Sequence, residues 1–368
     1  MNILLLDQFS DLGGAQQVLA ELLPEIRRRG WRALLAVPGN GKLVDIAHKL
    51  GIDVEDIDCW PYKSGQKLPD IARLLRHTVR LSRRIRELAE KVSAELVYIN
   101  GPRFLPAAAL ANLQCPVLFH AHSWIPPGRE RVVTGLGLWR TRARVVATCR
   151  FVADSWEGYV RRERLSIIWN GLAGPPQMPE SPQGSQPRIG CIGRISPEKG
   201  QREFVEVAAR IHRTLPECRF LVFGDVLFGS LGAAQYAAEV RASAAGLPVD
   251  FRGWVSDVYG ALAELDLLLV PSVGADATPR VILEAYAAGV PVVAFRCGGI
   301  PELVQDGVTA VLTGSVEEMA REAIALLTAG RERRISIARA ARSLWEQKFT
   351  QAAFQTQLLA VIEEWARR

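Results

Sequence analysis

Short apolar runs alternate with longer amphipathic stretches along most of this chain, and that alternation limits the possible folds more than any other feature. "NILLLD" precedes "AQQVLAELLPEIRRRG", "RALLAVPG" precedes "KLVDIAHKLG", and "ELVYING" precedes "LPAAALANL" and then "CPVLFHAHS". A strand that is apolar on both faces must be covered on both, and helices between successive strands supply the cover. The pattern stops at "WNGLAGPPQMPESPQGSQP" (Trp169–Pro187), where Pro, Gly, Ser and Gln dominate as in a linker. It then restarts: "RIGCIGR" precedes "GQREFVEVAARIHRTL", "RFLVFGD" precedes "AAQYAAEVRASAA", and "VDFRGWV" precedes a helix and "DLLLVPS". The expectation is an α/β chain of two Rossmann-like, doubly wound domains facing each other across a cleft. They span residues 1–170 and 188–345, joined by a linker at 171–187 and followed by a closing helix in 346–368. In open sheets of this kind ligands bind beyond the carboxyl ends of the strands, so the loops there are the places to look for chemistry.

The chain has 368 residues, enough for two cores, with 49% hydrophobic and 23% charged residues, a globular balance. No apolar run reaches the roughly 18 residues of a membrane span. The opening "MNILLLDQFSDLGG" lacks the charged front and cleavage site of a secretory signal and reads as a first strand. The six cysteines (Cys59, Cys115, Cys149, Cys191, Cys218, Cys297) form no C-x-x-C pair. Scattered thiols suit a reducing cytoplasm. The net charge of +6 is uneven: residues 1–170 hold 25 of the 45 Lys+Arg and 17 of the 39 Asp+Glu, leaving the remainder slightly acidic. A basic first half favours an anionic partner there.

Four stretches carry candidate chemistry. Gly13 and Gly14 follow the first strand and open a helix. They suit either a tight turn or a backbone brought close to an anion at a helix N-terminus. In "GRISPEKGQREF", Arg194 and Lys199 share one loop ahead of a helix. They read either as solvated surface charges or as a cationic pair for a diphosphate. In "PSVGADATPRVILEAYAAGVPVV", Thr278 is expected to cap a helix whose first position is Pro279. Asp276 then sits at the helix mouth and Glu284 about one and a half turns inside. Glu284 reads either as part of an exposed helix face or, because its neighbours are almost wholly apolar, as an acid that needs a polar partner such as a ligand. In "FHAHSW", His120 and His122 alternate on a strand and point to one side. They are either packed histidines or a histidine facing a ligand.

Two further features compete. "DID" (Asp56–Asp58) matches the D-x-D of metal-dependent sugar transferases, but the motif is short enough to arise by chance. "RLLRHTVRLSRRIRELAEKV" (Arg73–Val92) puts Leu74, Leu75, Val79, Leu81, Ile85 and Leu88 on an apolar face of a basic helix. It suits either an anionic membrane surface or packing on its own domain. No nucleic-acid recognition motif accompanies it.

Taken in order, "GGAQQVL", "HAHS", "NG" at Asn170–Gly171, "IGRISPEKG", "VFGD", "FRGWV", "DLLLVPS", "DATPRVILEAYAAGVPVVA" and "GGIPELV" resemble the GT-B glycosyltransferases of retaining family four. The resemblance covers most of the chain, and its last two blocks together are highly specific. It implies a nucleotide-diphosphosugar donor, UDP- or GDP-linked, held mainly by the second domain, with an acceptor-side first domain. Arg194 and Lys199 match the pair that grips the diphosphate. Glu284 matches the acid on the ribose, and Val255 a backbone contact to the base. Asp276 matches the acid on the transferred sugar, with the backbone of Thr278, Arg280 and Val281 nearby. Gly14, beside Gly13, matches the first-domain contact to donor phosphate. His122 matches a strand-end histidine near the sugar, with His120 as fallback and Asn170 as a secondary candidate. The closing helix matches one that crosses back onto the first domain. The pattern departs from the family at Asp276, where Glu is usual, and at Thr278-Pro279, where Phe-Gly is usual. Pro279 cannot donate an N–H.

The function expected from the resemblance is a retaining hexosyl transfer, without obligatory metal or other cofactor. The acceptor is a glycan, lipid-linked molecule or small molecule in cell-envelope or polysaccharide synthesis. The expected place is the cytoplasm, with the inner face of the membrane as a candidate surface on the ground of the basic first half, and with no nucleic-acid partner. Two rivals stand beside it: a GT-B sugar-nucleotide epimerase and a non-catalytic nucleotide-sugar or polysaccharide-binding protein.

Overall fold

A computed structural model of the chain describes residues 1–59, 68–178, 186–226 and 231–368. The chain divides into two compact units. Unit 1 comprises Met1–Asn170 with Gln355–Arg368, and unit 2 comprises Gly171–Phe354.

Unit 1 opens with β1 (Asn2–Leu6), α1 (Gly14–Arg28), β2 (Arg32–Val37), α2 (Lys42–Lys49) and β3 (Asp53–Asp56). It continues through α3 (Leu68–Val92), β4 (Leu96–Ile99), α4 (Leu105–Leu110) and β5 (Val117–Ala121). Then come α5 (Arg129–Thr141), β6 (Arg144–Ala147), α6 (Arg150–Ala153) and β7 (Leu165–Ile167). The seven strands form one parallel sheet in the order β3-β2-β1-β4-β5-β6-β7. β1, β4 and β5 are the central strands, and their apolar runs are buried as the continuous hydrophobicity requires.

Unit 2 follows with β8 (Arg188–Ile192), α7 (Gln201–Thr214), β9 (Arg219–Phe223), α8 (Leu231–Ser243) and β10 (Val249–Gly253). Next are α9 (Val258–Ala263), β11 (Leu267–Val270), α10 (Arg280–Ala288), β12 (Val292–Phe295), α11 (Ile300–Leu303) and β13 (Val311–Thr313). Its parallel sheet runs β10-β9-β8-β11-β12-β13. Phe204 and Ile211 of α7 and Met319 of α12 (Val316–Thr328) pack with Ile189, Phe220 and Leu267 in its main core. The doubly wound fold read from the alternation is the fold observed, twice over.

Residues 171–178 of the expected linker pack within unit 2. The Leu172 amide donates to Phe349 O (3.0 Å) and the Gln351 amide to Leu172 O (3.0 Å). Arg342 Nη1 donates to Pro175 O (3.0 Å). Residues 179–185 lie outside the described residues. The last stretch forms two helices, α13 (Arg331–Lys348) and α14 (Gln351–Ala366). The end of α14 is held in unit 1, where Trp365 Nε1 donates to Val117 O (2.9 Å) and Glu363 pairs with Arg29.

Two expectations change. Helix α10 starts at Arg280, not at Pro279, and Pro279, not Thr278, occupies the cap position as the extended residue that precedes it. The proline ring fixes φ near −60° in either arrangement, and here its ψ of 114° keeps it extended. In the basic helix, the expected apolar face divides. Leu81, Ile85 and Leu88 are buried in unit 1, whereas Leu75 and Val79 are exposed. The helix contacts β1, β2 and α4, and Leu81, Ile85 and Leu88 supply the apolar side of that contact. Arg84 and Lys91 pair with Glu55 on β3, anchoring the packed part.

Candidate functional site

Each sheet reverses its winding between two central strands: β1 and β4 in unit 1, β8 and β11 in unit 2. At such a point the loops leaving the two strands diverge to opposite faces, and a crevice opens between them. Gly13 and Gly14 follow β1, Arg194 and Lys199 follow β8, and Asp276 follows β11.

In unit 2 the loop after β8 meets the loop after β11. Lys199 Nζ lies 2.8 Å from Asp276 Oδ2, and Ser272 Oγ donates to the same oxygen at 2.7 Å. The pair is largely sheltered, with Asp276 10% and Lys199 28% exposed, so its Coulomb attraction is less screened than at an open surface. The loops are also tied by backbone, as the Val273 amide donates to Glu198 O at 3.0 Å. Arg194 takes a different acid and pairs with Glu198 four residues on. Buried Gln201 fixes the loop by donating to Arg194 O (2.8 Å) and accepting from the Ser196 amide (3.2 Å).

Two glycines allow this approach. Gly200 has φ +72°, and a Cβ there would lie 1.8 Å from Pro271 O. Gly298 has φ +53°, and its Cβ would lie 2.0 Å from Asp276 O, which accepts from the Gly299 amide at 2.9 Å. Both positions combine left-handed backbone with direct backbone contact, so only glycine fits. The double glycine therefore holds the backbone of Asp276. Cys297 donates its thiol to Ser272 O (2.9 Å), and burial pushes that thiol up to about 11.

Helix α10 carries the second acid. Glu284 and Arg280, one turn apart on the helix, approach to 3.7 Å, each 13% exposed. The half-buried acid thus has a cation beside it. Val281 is half-buried in the first turn, where helix geometry leaves amides without intrahelical acceptors. Val255 is half-buried in the loop after β10, and Asp257 caps α9 by accepting from the Gly260 amide at 2.9 Å.

In unit 1, α1 begins at Gly14, with Gly13 as an extended cap that makes no side-chain bond. A Cβ at Gly14 would meet nothing within 4 Å, so its surroundings are open. Behind this helix mouth lies a chain of polar side chains. Buried Asp7, at the end of β1, accepts from Gln16 Nε2 (2.8 Å), the Phe9 amide (3.0 Å) and Asn100 Nδ2 (2.5 Å). Asn100 follows β4, and its Oδ1 lies 2.8 Å from His122 Nε2, just after β5. Burial raises the Asp7 carboxyl to about 6, against the lowering effect of these hydrogen bonds. Burial lowers His122 to about 3, although the ring keeps some exposed surface, and burial also holds His120 well below the usual histidine value. His120 is fully buried with Nδ1 2.5 Å from Tyr98 Oη, and the two imidazole centres are 4.0 Å apart. His120 therefore belongs to the packed core, and His122 stands at the strand end. Asn170 is buried at the last position of unit 1.

Asp56 accepts from the Gly39 amide (2.7 Å), and Asp58 lies 3.3 Å from His77 Nε2. Each acid of "DID" thus has a protein partner. Asp7, Gln16, Asn100, Glu198, Gln201 and Ser272 were not foreseen. Asp7 and Asn100 each end an apolar run in the sequence, "NILLLD" and "LVYIN". A polar residue closing a buried strand was the signal available.

Residues 12–173 match the family model Glycosyltransferase Family 4, and residues 186–329 match Glycosyl transferases group 1. The chain belongs to the family 4 glycosyltransferases. The two matches together cover most of its length and fall on the two units. A D-inositol 3-phosphate glycosyltransferase of Segniliparus rotundus is 33% identical over 172 residues, 44% of this chain and 38% of that protein. A 2-deoxystreptamine glucosyltransferase of Streptomyces kanamyceticus is 34% identical over 146 residues, 38% of this chain and 36% of that one. The chain thus spans less than two fifths of the length of these relatives. Among solved structures, Anabaena Alr3699/HepE in complex with UDP and glucose superposes with a TM-score of 0.80 at 24% identity, covering 99% of both chains. That likeness is one of fold: this chain has the GT-B pattern of two Rossmann-like units.

Proposed function

We propose that this chain transfers a hexosyl group from a UDP- or GDP-linked sugar to an acceptor, with retention of anomeric configuration and without an obligatory metal. The observation that carries the reading is the junction of the β8 and β11 loops, where Lys199, Asp276 and Arg194 gather at the switch point of unit 2. Two cations on one loop suit a diphosphate, whose negative charge grows as the C1–O bond breaks. Lys199 and Arg194 would leave Asp276 and Glu198 for the phosphates, and Asp276 would then be released toward the hydroxyls of the sugar. Glu284 takes the ribose hydroxyls and the Val255 backbone the base. Backbone groups of Thr278, Arg280 and Val281 meet the sugar. In unit 1, the open amides after Gly13 and Gly14 suit a phosphate, and His122 suits a sugar hydroxyl.

In the transfer step the C1–O bond to the diphosphate breaks through an oxocarbenium-like state, and the acceptor oxygen bonds to C1 on the same face. The departing phosphate oxygen takes the acceptor proton. The relatives named above are, by their names, glycosyltransferases of D-inositol 3-phosphate and 2-deoxystreptamine. The acceptor proposed here is a glycan, a lipid-linked molecule or a small molecule, in cell-envelope or polysaccharide synthesis.

A thermal-shift screen of UDP- and GDP-sugars tests the reading, because a ligand that binds only the native state raises its melting point. One sugar nucleotide should raise the midpoint, and Lys199→Ala should abolish the rise. No shift with any of them, or a shift equally large in Lys199→Ala, rejects it. Turnover persisting in excess chelator, and proton NMR of the product anomer, check the metal and stereochemical parts.

An anionic membrane surface is part of the same proposal. Trp139 (64% exposed), Leu136, Val132 and Val133 project from α5, and α5 packs on α4, which packs on α3. Leu75 and Val79 of α3 are exposed near Arg76, Arg80 and Arg83. Exposed apolar residues beside a basic stripe suit the interface of anionic lipid. Among the described residues no helix is long and apolar enough to cross a membrane.

A further inference from the structure

We propose that Asp7 is a positioning residue: acting through Asn100, it holds His122 in the tautomer with hydrogen on Nε2 and keeps Nδ1 as the ring's acceptor. This deepens the reading above, in which His122 faces the donor sugar.

The argument starts from the amide of Asn100. Its Nδ2 is 2.5 Å from Asp7 Oδ2 and 3.1 Å from Ala15 O. A carboxylate oxygen and a carbonyl oxygen only accept, so the Asn100 atom facing both must be the NH2 group. The other end of the amide, Oδ1, then faces His122 Nε2 at 2.8 Å. An amide oxygen also only accepts, so Nε2 must carry the hydrogen. A neutral imidazole has one N–H, and Nδ1 is left with its lone pair.

Asp7 is well placed to enforce this orientation. Its Oδ1 is engaged by Gln16 Nε2 and the Phe9 amide, so Oδ2 is the oxygen left for Asn100. The Asn100 amide donates to Leu6 O at 2.8 Å, which fixes the Asn backbone against β1. Gln16 and Ala15 belong to the first turn of α1. The same network therefore links the helix mouth to the histidine. A sugar hydroxyl meeting His122 Nδ1 would have to donate its hydrogen, which restricts the hydroxyl orientations that the site accepts.

The test is ring-nitrogen NMR on ¹⁵N-histidine-labelled full-length chain at neutral pH, with no substrate present. His122→Gln identifies the His122 signals among the five histidines. The expected wild-type spectrum has protonated Nε2 and unprotonated Nδ1. In Asp7→Asn, the new amide presents NH2 to Asn100, which must turn its oxygen toward it. His122 then faces an NH2 group, and its hydrogen should move to Nδ1. In Asn100→Leu the ring should average between both tautomers. A wild-type ring with hydrogen on Nδ1, or a pure Nε2–H ring surviving in Asp7→Asn or Asn100→Leu, overturns the proposal. Because the spectrum needs no ligand, the tautomer can prove right while nucleotide-sugar binding fails, or the reverse.

Discussion

Lys199 and Asp276, 77 positions apart in the chain, meet at 2.8 Å where the β8 and β11 loops converge. Family resemblance gives them separate tasks, the lysine on diphosphate and the acid on the sugar. In the structure they pair with each other. Without Lys199, Asp276 would keep the Ser272 hydroxyl on the same oxygen, and Lys199 without Asp276 would turn to the solvent that reaches it. A diphosphate competing for Lys199 would also free the acid, which couples the two ends of the donor.

Replacing Lys199 by Ala is therefore expected to lower turnover by about 10²-fold or more, the effect of removing a group that stabilises a leaving anion. Initial rates with the sugar nucleotide selected by thermal shift measure it. Unchanged turnover would rule out the role.

Glu284→Gln should weaken nucleotide binding by about tenfold, because a hydrogen bond to a charged group contributes roughly 1.5–3 kcal/mol. Melting temperature should change little, since the residue lies at a half-buried site beside Arg280. Calorimetric titration with the nucleoside diphosphate provides the comparison. Equal affinity in both proteins would place the ribose elsewhere.

Gly298→Ala should destabilise the fold by at least about 1–3 kcal/mol, the cost of left-handed backbone and a steric conflict combined. Its Cβ would lie 2.0 Å from Asp276 O, so the loop bearing the acid must move. Chemical denaturation should show the loss, and donor affinity should fall with it. Gly14→Ala is the control: its Cβ meets nothing within 4 Å, and stability should hold.

Acid stability offers a further test. His120 and His122 stay neutral in the fold at pH values where an ordinary histidine is charged, because burial lowers both. Their contribution is present above about pH 6.5 and is lost as pH falls, since the unfolded chain then binds protons that the native chain refuses. Asp7 works in the opposite direction. Its folded carboxyl, raised to about 6, binds a proton before the unfolded one near 3.8, so stability from this group rises as pH falls from about 6 to about 4. At most roughly 3 kcal/mol is involved. Acidification from pH 7 to 5 should lower the melting point less in His122→Gln than in the wild type, and more in Asp7→Asn. The reverse ranking would contradict these protonation states.

Trp139→Glu together with Leu136→Glu should remove flotation with anionic vesicles at low salt, and high salt should weaken the wild type. Each basic residue near such a surface contributes about 1 kcal/mol. Wild-type protein that stays with the soluble fraction at low salt removes the membrane from the proposal.

The alternation of apolar runs and amphipathic stretches determined the two doubly wound sheets, because a parallel strand buried on both faces has no other stable surroundings. "DATPRVILEAYAAGVPVVA" with "GGIPELV" placed the chain in its family, and the loops after β8 and β11 were visible as candidate sites. What the sequence left open was which groups touch. "NILLLD" and "VYING" show polar residues closing buried strands, but not that Asp7 and Asn100, 93 positions apart, share a hydrogen. Nor does "GRISPEKG" show that Arg194 takes Glu198 while Lys199 takes Asp276. Strand periodicity is a local property written in consecutive residues. Side-chain partners depend on sheet order and register, and these are decided only when the distant strands β1, β4 and β5, or β8 and β11, are laid side by side.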